Sequence, residues 1–444
     1  MRVLFTVFAA KPHFYNLVPL AWALRAAGHD VVVASQPDLT EIITATGLTA
    51  VPVGDELQLV RAFQGGPDDS GASPWQRLTG LNELDPQRLT WPYVLGVFTI
   101  GCAMEYEYLA GQRLLDDLVE FAREWRPDLV IWDALTFAGA IAAHASGAAH
   151  ARVLFGQDHV ARMFAVYRQH LAAQPPEHRD DPVSDWLAGR LDRYDHRYSP
   201  ALDHELMTGQ VTIDPTPPWM QLPLDLSSLP VRYIPFNGPT SVPGWVHQAP
   251  GRPRVCLSLG VSGRELFGAG VVSGPDDIVT VADVVAILAE FDVEVVATLT
   301  EAQLGAAGTA PDNVRVVEFV PLNELLPSCA LIIHHGGFGT TGNAVAHAVP
   351  SIIIPAPWWD AASLAELLEQ RGAGFLADDT VLTRDGLRDR IARLLADPSH
   401  RAAAAAIQAE LSTAPSPHDL VPQLVALVAS HRRQPRPEVA PCAS

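Results

Sequence analysis

Two doubly wound α/β domains facing a central cleft are the architecture this sequence predicts. Short apolar runs of strand length alternate with helix-length segments along most of the chain, the pattern of a parallel sheet covered on both faces. That alternation stops in the stretch 214–253, where ten prolines from Pro215 to Pro253 exclude a long helix, and it restarts afterwards. The length of 444 residues is about three times a ~150-residue domain.

Taken in order, Val3 to Phe8 reads as the first buried strand. His13 to Ala27 carries Leu17, Leu20, Ala21 and Leu24 on roughly one helical face, with Gly28 where a helix C-cap is favoured. Val31 to Ala34 and Leu48 to Val53 are the next strands. Leu129 to Trp132, the small-residue helix Phe137 to Ser146, and Ala151 to Phe155 continue the winding. In the second half the strands are Val255 to Leu259, Glu294 to Leu299, Val314 to Phe319, Leu331 to His334 and Ser351 to Pro355. The reading divides the chain into a Rossmann-like acceptor domain (1–213), a proline-rich linker (214–253) and a Rossmann-like donor domain (254–420). A helix (421–433) that returns to the first domain and a disordered tail (434–444) complete it. The segment 55–108 mixes Gly, Asp and Pro with Trp75, Trp91 and Tyr93, and is expected to form loops and short helices.

The net charge of −20 argues against sequence-independent nucleic-acid binding, which needs Lys and Arg to meet phosphates. An anionic substrate must then be held by local N–H groups and dipoles. Cys102, Cys256, Cys329 and Cys442 are widely spaced and read as buried or incidental thiols of a reducing compartment. The apolar run at the amino terminus is short and leads into a helix and second strand, so it reads as a strand rather than a signal peptide. No apolar run approaches the ~18 residues of a membrane span. A cytoplasmic protein is expected.

The most informative stretch is Leu331-Ile332-Ile333-His334-His335-Gly336-Gly337-Phe338-Gly339-Thr340-Thr341-Gly342-Asn343. An apolar strand breaks into a glycine-rich turn, and the segment from Thr341 to Val349 can be helical. Glycines let the backbone approach an anion, and the free N–H groups of a helix start supply positive partial charge, a geometry suited to a diphosphate. The spacing is neither the P-loop nor the three-glycine dinucleotide fingerprint.

His13 follows the first strand, at the edge where an open parallel sheet binds ligands. A neutral imidazole there suits removal of a proton from a hydroxyl; a helix-capping or solvated histidine is the other reading. Asp133 ends a strand facing the same edge and either orients the imidazole or caps the following helix. In the second half, Ser258, Gly260 and Ser262 follow a strand with hydroxyls and N–H groups. Phe319 and Val320 offer an aromatic and a backbone edge to a planar base. Trp359 and Asp360, with Trp358, pair aromatic faces with a carboxylate, as sugar sites do; interface packing is the alternative for the tryptophans. No Asp-x-Asp pair at a strand end and no zinc spacing is present, so no metal or cofactor is expected.

With these positions in view, the chain from Met1 to about Arg433 resembles the two-domain GT-B glycosyltransferases of actinobacteria that attach deoxysugars to polyketides, as in the erythromycin, tylosin and daunorubicin pathways. The markers are Val18 to His29, Gly47 to Gly54, Trp125 to Trp132, Asn237-Gly238-Pro239 and the His-His-Gly-Gly turn. The resemblance implies metal-independent, inverting transfer from a dTDP-deoxysugar to a macrolide or anthracycline aglycone. It implies His13 as base and Asp133 as its partner, and Phe319 and Val320 at the nucleobase. His335, Gly336, Gly337, Phe338, Gly339, Thr340, Thr341 and Asn343 would lie around the diphosphate, with Trp359, Asp360 and Ala361 near the sugar. Phe14, Trp75, Trp91 and Tyr93 are the acceptor candidates. Asp360 is followed by Ala361 where most such enzymes carry glutamine, which fits a donor with fewer hydroxyls. The resemblance also implies a haem-free, cytochrome-monooxygenase-like helper protein docking on the segment 55–108, whose aromatics read alternatively as a lid over the acceptor. A homodimer is a further open reading. A catalytically silent partner of another transferase, or a UDP-sugar epimerase, are the competing functions.

Overall fold

The computed structural model describes residues 1–59, 61, 80–260, 280–300, 310–356, 359–377 and 383–433. Trp75, Ser262, Trp358 and the tail 434–444 lie outside the described residues.

The first sheet has seven strands in the order β3-β2-β1-β4-β5-β6-β7: Arg2–Thr6 (β1), Asp30–Ser35 (β2), Thr49–Pro52 (β3), Leu129–Asp133 (β4), Ala149–Val153 (β5), Thr212–Asp214 (β6) and Ser228–Pro230 (β7). The second has six in the order β10-β9-β8-β11-β12-β13: Arg254–Ser258 (β8), Glu294–Thr298 (β9), Val314–Val317 (β10), Cys329–His334 (β11), Ser351–Ile353 (β12) and Gly374–Leu376 (β13). Every strand pair is parallel. In each sheet the winding runs outward on one side, then crosses to the other side of the first strand. The crossing points lie between β1 and β4 and between β8 and β11, the switch points where open α/β sheets take ligands.

Burial on both faces explains why these strands read as continuous apolar runs. Val3, Phe5 and Ile131 enter the layer beneath the helix Lys11–Ala26, while Leu4, Val130 and Trp132 enter the layer on the opposite face. The second sheet alternates in the same way. Val255, Leu257 and Ile333 fill one layer, Cys256, Val296 and Ile332 the other. Cys102, Cys256 and Cys329 are free, buried thiols, and burial pushes Cys102 and Cys329 up to about 12.

The first sheet extends beyond residue 213, where sequence reading placed its end. β6 runs up to the start of the proline-rich stretch, β7 comes from within it, and they pair Thr212 with Ser228 and Asp214 with Pro230. Pro230 is tolerated because it ends an edge strand, where its missing N–H removes no ladder bond on the outer side. The segment 55–108 contributes the helix Trp91–Ile100 and shorter turns.

The last helix, Pro417–His431, opens with a capping box in which Ser416 and Asp419 satisfy each other's amides. Its Leu420, Leu424 and Val428 are buried with Phe5, Leu17 and Val18 in the first domain, although the chain reaches it from the second. Because Leu424 is fully buried, Leu424→Ala is expected to cost ~2–5 kcal/mol of first-domain stability, measured by chemical denaturation. A loss under half of that range would mean the helix is not integral to that core.

Candidate active site

The helix Lys11–Ala26 begins with Pro12 in its first turn, a position that needs no N–H. This start brings His13 to the carboxyl edge of the first sheet. Its Nδ1 lies 2.8 Å from Asp133 Oδ2, and the two side chains are 16% and 2% exposed. The other carboxylate oxygen of Asp133 accepts the Leu135 amide at 3.1 Å. One oxygen thus holds the turn and the other holds the imidazole. With Nδ1 committed, Nε2 is the nitrogen left for chemistry with a substrate. Phe8 and Phe155 flank the ring at centroid distances of 4.5 and 4.1 Å and shield it from water.

On the facing edge, the helix Phe338–Ala346 starts from Gly337. The Thr340 and Thr341 amides both bond Gly337 O at 3.0 Å, so the amides ahead of them, of Phe338 and Gly339, lead the helix without an intrahelical carbonyl. Gly336 has φ +87°, and a Cβ there would fall 2.7 Å from the Ala361 Cβ. The His335 ring is held between two glycines. A Cβ on Gly260 would sit 2.2 Å from its Cε1, and one on Gly337 2.7 Å from its Nε2. Burial lowers His335 to about 4 and His334 to about 3, so both are neutral near pH 7.

Several expected donor contacts turn inward. Thr341 Oγ1 donates to Gly336 O and Gly337 O at 3.3 and 3.2 Å, which ties the hydroxyl to the turn. Asn343 Nδ2 donates to Gly339 O at 2.7 Å and reaches Tyr233 Oη at 3.3 Å; it braces the helix. Ser258 is buried, with Oγ accepting from Thr298 Oγ1 at 3.0 Å. Val320 is packed with Leu325 and Ile332, which leaves only its backbone for a base, whereas Phe319 is exposed.

The acceptor candidates need larger correction. Phe14 is fully buried with Val3 and Leu17, on the helix face turned from the cleft. Trp91 stacks on Tyr167 at 5.8 Å, and Tyr93 Oη donates to Gly80 O at 2.9 Å. Trp91 is half-buried against the helix His159–Ala173, and Tyr93 is half-buried in the same core. Among the described residues of that segment, the large exposed apolar side chains are Leu84, Ile100 and Met104.

Trp359 and Asp360 meet residues that sequence reading did not single out. Gln157 N–H donates to Asp360 Oδ2 at 2.9 Å, and Trp359 Nε1–H donates to Gln157 O at 3.2 Å. Ser363 Oγ–H donates to Gln157 Oε1, and Asn82 Nδ2 to Trp359 O at 2.9 Å. A Cβ at Gly156 would come within 2.2 Å of Asp360 Oδ2, so the approach needs glycine. Phe155 lies 4.9 Å from Trp359, which places the donor-half tryptophan one ring away from His13. No local motif marks Gln157, because its role exists only against the other domain.

Among the described residues, one His/Asp/Glu group is close enough for an ion: His144, His150 and Glu205. Trp132 Nε1–H donates to His150 Nδ1 at 3.2 Å, so the ring proton sits on Nε2 and points at Glu205 Oε1, 3.0 Å away. That nitrogen has no lone pair to offer a metal.

Burial raises the Asp360 carboxyl to about 7. A carboxyl raised above its ordinary 3.8 favours the buried contact fully below about pH 4, and the advantage is lost as pH rises through about 7. Exchange protection of the Gln157 amide, corrected for intrinsic rate, is therefore expected to fall between pH 4 and 8 in the native chain and to stay level in Asp360→Asn. An equal fall in both would remove Asp360 as the cause.

The family model described as "Erythromycin biosynthesis protein CIII-like" matches through its N-terminal domain at residues 22–260 and its C-terminal domain at 282–427. The chain is 49% identical to the aclacinomycin-T 2-deoxy-L-fucose transferase of Streptomyces galilaeus, over 98% of this chain and 97% of the other. It is 45% identical to the 10-deoxymethynolide desosaminyltransferase of Streptomyces venezuelae, over 98% and 99%. The crystal structure of glycosyltransferase VinC in complex with dTDP superposes with a TM-score of 0.85 at 45% identity, covering 97% of this chain and 100% of that one. With two facing parallel sheets and a match along its whole described length, the chain belongs to the erythromycin biosynthesis protein CIII-like family and is a GT-B glycosyltransferase.

Proposed function

We propose that this enzyme moves a deoxysugar from a dTDP-deoxysugar to a hydroxyl of a macrolide or anthracycline aglycone, with inversion and without a metal ion. The observation that carries the reading is the His13–Asp133 pair at the edge of one sheet, one aromatic ring away from Trp359 and Asp360 of the other. The sugar and aglycone classes are supported by what the relatives are named for, and the nucleotide by the dTDP in the VinC complex.

In this mechanism His13 Nε2 takes the proton of the acceptor hydroxyl as its oxygen attacks the anomeric carbon. The bond from that carbon to the phosphate oxygen breaks, and dTDP leaves with the electron pair. A single displacement inverts the anomeric centre. Asp133 holds Nδ1–H and stabilises the imidazolium that forms. The N-terminus of the helix Phe338–Ala346 and the neutral His335 face the growing charge on the diphosphate, a role for prealigned dipoles. A catalytically silent copy would have no use for the His13–Asp133 pair. The helper protein implied by the resemblance stays a partner in this reading, docking on the segment 55–108, where Trp91 and Tyr93 are half-buried.

Incubation with dTDP-deoxysugars and a panel of macrolactone and anthracyclinone aglycones, with dTDP release followed by chromatography, tests the reading directly. His13→Ala is expected to lower kcat by roughly 10²–10⁴-fold, the usual worth of a general base, while dTDP affinity changes little. Near-native turnover in that variant would remove His13 from the mechanism. Turnover is also expected to survive EDTA and to be indifferent to added Mg²⁺; activity lost on chelation and restored by metal would overturn the metal-free assignment.

A further inference from the structure

His159 is the first residue of the helix His159–Ala173, just past the carboxyl end of β5. It is 1% exposed, yet neither ring nitrogen has a hydrogen-bond partner among the described residues. The polar groups around it are spent elsewhere. Asp158 binds Arg152 and the Ala161 amide, and the Arg162 guanidinium donates to Glu83 O and Leu84 O. Two buried, unpaired nitrogens cost stability that a phenylalanine or leucine side chain would not. A histidine held this way is ready to meet a ligand.

What covers it points the same way. The indole of Trp359 packs edge-on against the imidazole at 5.5 Å and 86°. Trp359 belongs to the opposite domain and has φ +51°, a left-handed conformation unfavourable for a bulky residue. It is held there by the Asn82 and Gln157 hydrogen bonds. The four rings form a path across the cleft. From His13 to Phe155 is 4.1 Å, from Phe155 to Trp359 4.9 Å, and from Trp359 to His159 5.5 Å. Withdrawal of the indole would therefore uncover His159 beside Phe155, the ring that packs against the base.

We infer that His159 is an acceptor-recognition residue: with the Trp359 indole drawn aside, its imidazole bonds a hydroxyl or keto oxygen of the aglycone and orients the reacting hydroxyl towards His13. The inference rests on the proposed acceptor class. Burial lowers His159 to about 4, so the ring is neutral at working pH and offers one donor and one acceptor, a match to uncharged oxygens rather than to phosphate.

The test compares His159→Phe, which keeps a ring and removes the nitrogens, with His159→Gln, which restores a donor and an acceptor. Aglycone Kd is read by quenching of tryptophan fluorescence, dTDP Kd by calorimetry, and Tm by thermal melt. His159→Phe is expected to raise aglycone Kd and KM by about tenfold or more. Its dTDP Kd should stay within about twofold and its Tm should equal or exceed the native value, since no unpaired polar atoms remain buried. His159→Gln should recover much of the aglycone affinity. If Phe does not fold, His159→Leu makes the same comparison. Unchanged aglycone affinity in the apolar variant, with the native chain binding, overturns this inference alone. A native chain that binds no aglycone of the panel overturns the acceptor class and this inference together.

Discussion

The cleft depends on one constraint: in each sheet the first strand pairs in parallel with the strand that begins the return winding. β1 lies beside β4 with Thr6 opposite Trp132, and β8 beside β11 with Ser258 opposite His334. Parallel pairing sends the segments after both strands to the same edge. His13, at the start of the helix after β1, and Asp133, the last residue of β4, then touch although they are 120 positions apart. The same register sets His335 against the loop of Gly260. Packing on both faces of each sheet holds this register, because a slip by one residue would exchange its two apolar layers.

Close approach is the second theme. Gly156, Gly260 and Gly336 each stand where a Cβ would collide with a site residue or its neighbour. Glycine here serves the spacing between loops as much as backbone freedom. The imidazole of His335 and the carboxylate of Asp360 are immobilised by what surrounds them, and burial shifts both towards their neutral forms. In this arrangement one oxygen of the Asp360 carboxyl, Oδ2, is already engaged by the Gln157 amide of the opposing domain.

The helix Pro417–His431 ties the two halves covalently and through packing. Its apolar face completes the first domain's core, so the chain leaves that domain at the proline-rich stretch and returns at its end. Such a strap limits how far the domains part without fixing the contact at Gln157 and Asp360.

The parallel α/β class, the placing of His13 and Asp133 at one sheet edge and the glycine-rich turn were legible in the sequence alone, because each is written locally. Apolar runs of strand length, a histidine or aspartate just past such a run, and glycines before a helix have the same physical meaning in any such sheet. Tertiary structure alone decided which way side chains face and what the second domain touches. Thr341 and Asn343 bond their own turn, and Phe14 and Val320 fill cores, because helix rotation and packing set those directions. The prolines concealed β7, since only its place at the sheet's outer side shows that the missing N–H of Pro230 is harmless there. Phe155, Gln157 and His159 follow no motif; what they touch is set when Trp359 and Asp360 meet them from the other domain. That contact joins positions about 200 residues apart, and no local pattern of hydrophobicity or propensity encodes it.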